Sequence, residues 1–104
     1  DWIYALDAAE AWYCALMVQD PPHRVFNMCA ERRRVGEVTE YLRKILPDAQ
    51  ITVSRKPGSL VPLMSNERII AELGFRPKYT METGMTHYLN MVRAQAGLPP
   101  VAMA

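Results

Sequence analysis

Tyr41 and Lys44 stand three residues apart in a stretch of helical periodicity, which puts a phenol and an ammonium on one helix face, where an acid/base pair could form. A packed Tyr beside a solvated Lys accounts for the same spacing more simply. Cys29 offers a nucleophilic sulfur, but nucleophilic use needs an adjacent base and an electropositive setting, and neither is visible around it. His23 and His87 are far apart, and neither has a second ligand at helix or turn spacing, so no metal site is expected and both read as surface residues. Gly36, Gly58, Gly74, Gly84 and Gly97 occur singly, so no glycine-rich turn cradles a pyrophosphate. Arg32, Arg33 and Arg34 could hold a phosphate. Flanked by Glu31 and Glu37, they read instead as a solvated loop leading into a helix, and nucleic-acid binding is not expected without a broad basic face.

The elements that would position these groups follow from periodicity. After Asp7, a plausible N-cap, AAEAWYCALMVQ carries Ala8, Ala11, Trp12, Ala15 and Leu16 at spacings of three and four, an apolar helical face that Pro21 and Pro22 end. HRVFNM, residues 23–28, is rich in β-branched and aromatic types and predicts a short buried strand. From Val35 a second helix places Val38, Tyr41, Leu42, Ile45 and Leu46 on one side, and Pro47 stops it. QITVS, residues 50–54, alternates and predicts a second strand, followed by the loop RKPGSLVP. Ser65 or Asn66 caps ERIIAEL, which stops at Gly74. Thr80 caps a last helix with a stripe of Met81, Met85, Tyr88, Leu89 and Val92, read as core. Residues 97–104 are expected to be a disordered tail.

A chain of 104 residues has room for one small core. Twelve basic against eleven acidic side chains leave a formal net charge of +1, too little to draw the chain to nucleic acid or an anionic membrane. No apolar run approaches the roughly 20 residues of a membrane-spanning helix. Cys14 and Cys29, without metal-ligand spacing or a secretory leader, read as free thiols, and a cytoplasmic location is expected. The opening Asp-Trp-Ile-Tyr looks like a strand end taken from the middle of a longer chain.

Five segments, in order, resemble the C-terminal portion of the extended short-chain dehydrogenase/reductase family, the NAD-dependent epimerases and dehydratases of nucleotide sugars. Asp1, Trp2, Ile3, Tyr4 and Asp7 match an Asp-aromatic-Ile-His/Tyr-Val-x-Asp segment ahead of a helix. Val25, Phe26 and Asn27 match a Val-Tyr-Asn strand. RKPGS stands where an Arg-Pro-Gly-Asp loop is found, and Glu72 to Pro77 match Glu-Leu-Gly-Phe-x-Pro. Thr80 and Gly84 match a capped final helix. The resemblance covers residues 1–96 and implies an α/β fold: a C-terminal substrate-binding lobe of about four helices and two short strands, lacking the Rossmann nucleotide-binding half.

Function is implied in the same way. The chain would be the substrate-side portion of an NAD(P)-dependent epimerase or dehydratase acting on nucleotide sugars or related substrates. It would be inactive alone, because the glycine-rich turn and the catalytic Tyr-x-x-x-Lys belong to the missing Rossmann half. NAD or NADP would be bound by the parent and not by this portion. Substrate contacts fall to Arg55, Lys56 and Ser59: Lys56 stands where the diphosphate-binding Arg is expected, Arg55 one place earlier, and Ser59 replaces an Asp that commonly contacts the ribose. A guanidinium on a Pro-Gly turn suits a diphosphate through paired, charge-assisted hydrogen bonds, whereas Lys acts as a point charge. Severed from that half, Trp2, Ile3, Tyr4 and part of the first helix are expected to lose their packing partner, and the chain to self-associate. The alternative is a standalone binding or interaction module that reuses the lobe without catalysis.

Overall fold

A computed structural model describes residues 1–54, 56, 58 and 63–102. Four helices follow one another: α1 (Ala5–Met17), α2 (Val35–Ile45), α3 (Glu67–Leu73) and α4 (Met81–Gln95). The α/β expectation is overturned, because among the described residues there is no sheet, only one isolated antiparallel bridge between Trp2 and Glu31. Its hydrogen bonds run from Trp2 N–H to the Glu31 carbonyl at 2.9 Å and from Ala30 N–H to the Trp2 carbonyl at 2.7 Å.

Both expected strands fail for want of a ladder partner. β-Branched and aromatic side chains favour extended backbone, but a strand also needs a neighbour for its N–H and C=O groups. Residues 23–28 spend those groups on side chains: Glu72 accepts the His23 N–H at 3.0 Å and Arg68 donates to the Val25 carbonyl at 3.2 Å. Residues 50–54 lie largely exposed, with the Ile51 carbonyl taken by Arg43 at 2.7 Å.

The helices match the periodicity more closely. α1 begins earlier than expected, with Tyr4 as its N-cap, so Asp7 lies inside the first turn. Asp7 is 1% exposed. Its two carboxylate oxygens accept the N–H groups of Lys78 and Tyr79, each at 2.9 Å, so the expected cap serves another segment. α3 stops at Gly74, whose φ of 68° is a left-handed conformation that glycine adopts without a Cβ clash. Asn66 precedes α3, but its side chain reaches Cys29 instead, accepting that residue's N–H at 2.9 Å and donating to its carbonyl. At the start of α4, Thr80 Oγ1 accepts the Thr83 N–H at 3.2 Å while Thr83 Oγ1 accepts the Thr80 N–H at 2.9 Å. Asn90 of α4 pairs with both backbone groups of Val101 at 2.8 and 3.1 Å, and Val101 packs on the core.

The core is two small clusters. Ala11 of α1, Ile69 of α3 and Phe75 form one, and Tyr41 and Ile45 of α2 with Met81 of α4 form the other. Of the expected α4 stripe, Met81, Met85 and Leu89 pack there while Tyr88 and Val92 stay exposed. The opening aromatics find partners within the chain, contrary to expectation. Trp2 and Tyr4 lie over Gly84 so closely that a Cβ there would come within 2.7 Å of the Trp2 ring and 3.0 Å of the Tyr4 ring.

The result is thin. The molecule measures 51 × 35 × 19 Å with a radius of gyration of 16.5 Å, against about 13 Å for a compact domain of this length. It exposes 8016 Å², where a compact monomer of its mass exposes about 5,900 Å². Domains are ordinarily two packed layers, and much of this chain lies only one layer deep. Among the described residues no helix is long and apolar enough to cross a membrane.

Candidate functional site

The extended segment 23–28 runs beside α3, and between them opens a polar cleft of about 490 Å³ lined by Val25, Asn27, Ser65, Glu67, Arg68 and Glu72. Its walls are fixed from both sides. Asn66 holds the backbone of Cys29, while Asp1 accepts the Met64 N–H at 3.0 Å and Arg32 donates to the Met64 carbonyl at 3.3 Å, which pins the approach to α3. Along α3, Glu72 takes both the backbone N–H and, at 2.6 Å, the Nδ1 of His23. Its Oε2 also lies 4.0 Å from Arg68 Nε.

Two carboxylates, one guanidinium, an amide and a hydroxyl give the lining a slightly acidic balance. That balance disfavours a phosphate but suits hydroxyl groups, which donate to carboxylates and exchange hydrogen bonds with Asn27 and Ser65 in either sense. The cleft was not foreseen from the sequence. The signal available was Asn27 at the end of an apolar run and Ser65 just ahead of a helix, both read as structural.

Of the three residues expected to contact substrate, Arg55 and Ser59 lie outside the described residues. Lys56 is exposed, its backbone N–H donating to Ser54 Oγ at 3.3 Å. The other chemistry-bearing residues are committed to structure. Tyr41 is buried and bonded to the Thr86 hydroxyl. Cys29 is buried and Cys14 partly so, both as free thiols. His87 is exposed, as is His23, and its Nδ1 meets the Tyr4 hydroxyl at 2.6 Å beside the ring of Tyr79. Burial pushes the Tyr4 phenol up from its ordinary value, helped by Tyr79 and Tyr88. Among the described residues no group of His, Cys, Asp and Glu could hold a metal ion.

The arginine run is not simply solvated. Arg33 pairs with Glu82 at the start of α4 and lies within 3.4 Å of Glu31 and 3.5 Å of Glu37. Its hydrogen bond holds the Glu82 carboxyl below its ordinary value, and Glu82 in turn raises Arg33. Glu31 also accepts the Met81 N–H at 2.6 Å, completing a lock on α4. At the far side of α1, Lys78 bonds Glu10 at 2.9 Å, which raises the ammonium above its ordinary value.

No family model, curated protein or solved structure matches this chain.

Proposed function

We propose that the chain is the substrate-side portion of an NAD(P)-dependent epimerase or dehydratase, and that its cleft receives the sugar of a nucleotide sugar. The observation that carries this reading is the cleft's lining. Asn27, Ser65 and Glu67 offer amide, hydroxyl and carboxylate groups to sugar hydroxyls, and the resemblance to the epimerases supplies the rest. In this reading Lys56, with Arg55, meets the diphosphate and Ser59 meets the ribose. A Rossmann half binds NAD or NADP and provides the acid/base pair, so this portion turns nothing over alone. The cytoplasm, where nucleotide sugars and nicotinamide cofactors are both plentiful, is its compartment. Two of the segments quoted for the resemblance lie against one another, Trp2 and Tyr4 on Gly84.

Calorimetry with uridine diphosphate glucose tests it. Saturable binding is expected, about 5- to 10-fold weaker in Asn27→Ala, the loss of one net hydrogen bond of about 1 kcal/mol. Equal affinity in the variant, or no binding at about 1 mM ligand, where only some 4 kcal/mol is demanded, would refute it. The second reading, an interaction module without catalysis, draws on the bare apolar side of α1.

A further inference from the structure

Every exposed residue of α1 is apolar: the large side chains Leu6, Trp12, Tyr13, Leu16 and Met17, and Ala5, Ala9 and Ala15. With about 100° between successive residues they cover an arc of roughly 200°. The two charged residues of α1, Asp7 and Glu10, lie outside that arc and are engaged by Lys78 and its neighbour Tyr79. Leu16 is 80% exposed and Trp12 65%. An apolar stripe on a helix ordinarily faces a core, and among the described residues the inner side of α1 does so, against α3 and Phe75.

Size narrows what covers the outer side. Taking about 150–250 Å² for a whole aromatic side chain and less for Leu and Met, the five large residues present on the order of 600 Å². That reaches the upper end for the largest apolar patch on ordinary monomers, about 300–600 Å². Val25, 73% exposed across a groove from Trp12, extends it toward the roughly 800 Å² that each partner contributes to a standard interface.

The distribution of bulk along α1 chooses the occupant. Ala5 and Ala9 make the N-terminal half of the face shallow, while Trp12, Tyr13, Leu16 and Met17 make the C-terminal half tall. An antiparallel second copy crossing at the middle of the helix sets tall against shallow at Ala5 and Ala9 and leucine against leucine between them. Ala5 then faces the partner's Met17, Leu6 faces the partner's Leu16, and Ala9 faces the partner's Tyr13. A parallel pairing would set tall against tall. Because the exposed residues of α1 carry no charge, no like charges from its outer arc meet when that arc is paired with itself. We infer that the outer face of α1 is a homodimer interface, in which two copies of this chain pack α1 against α1 antiparallel about a twofold axis. The inference gives the outer side of α1, expected from the resemblance to meet the cofactor-binding half, to a second copy; some 2,000 Å² of excess exposed surface is more than this interface covers and leaves other surface for such a half.

Sedimentation equilibrium at about 100 μM, above the micromolar end of the range for interfaces of this size, tests the inference. The wild-type chain is expected to run at twice its 11.8 kDa mass and Leu16→Glu at 11.8 kDa. The double variant Leu6→Lys/Leu16→Glu should regain the dimer, because antiparallel packing sets Lys against Glu at both ends. Val35→Glu, at a 71% exposed apolar position on α2, should leave the dimer intact. A monomeric wild type, a Leu16→Glu dimer, or a double variant that stays monomeric would each overturn it, the first assigning the face to a different protein.

Discussion

A buried carboxylate between two backbone N–H groups makes Asp7 the side chain on which the junction of α1 and the approach to α4 depends. Asp7→Ala leaves both N–H groups without their acceptor, and at about 1–3 kcal/mol for each buried unsatisfied group the expected loss is about 2–6 kcal/mol. Asp7→Asn keeps one acceptor oxygen and should lose roughly half as much; urea unfolding of the two variants measures the difference. Glu82 makes a pH-dependent contribution. Its carboxyl titrates below its ordinary value when folded, so pairing with Arg33 stabilises the fold above the unfolded carboxyl pKa of about 4.3, and that stabilisation fades as pH falls through the folded value. Glu82→Gln should therefore be less stable than wild type at pH 7 and converge with it in acid; a constant gap across pH would contradict the pairing. Asp7 shows how far a sequence carries at this scale. A carboxylate beside a helix start announces that it will accept N–H groups, but the groups it takes belong to residues 71 and 72 positions away, which no local pattern encodes.

At the level of elements, all four helices were legible because each has a face of period 3.6 and clear stop signals, Pro47 after α2 and Gly74 after α3 among them. The two strands were misread because HRVFNM and QITVS have strand-like side chains but no strand beside them, and pairing is not a local property. The cleft was illegible for a related reason, since it exists only where residues 23–28 meet α3. Gly84 and Gly36 separate propensity from packing. Gly36→Ala in α2 has no heavy atom within 4 Å of the new methyl and should gain up to about 0.5 kcal/mol from helix propensity. Gly84→Ala in α4 gains the same propensity but drives a methyl into Trp2 and the buried ring of Tyr4, and a net loss of about 1–2 kcal/mol is expected. Denaturant midpoints of the two variants should move in opposite directions.

Over the whole molecule, the 19 Å thickness and the excess of exposed surface describe a layer that has not met its second layer. The bare side of α1 answers part of that deficit by pairing with its own copy, and a cofactor-binding half would answer more. The sequence held the apolar arc of α1, since Leu6, Trp12, Tyr13, Leu16 and Met17 are all visible in it. Which arc turns inward is decided by Ile69 and Phe75, more than fifty residues later. The proposed function rests on the polar cleft, and the most direct measurement is a backbone amide NMR titration of the 104-residue chain with uridine diphosphate glucose. The account predicts saturable shifts that move together at Asn27, Ser65 and Lys56, with α1 unaffected. The absence of saturable shifts, or shifts confined to the apolar face of α1, would contradict it.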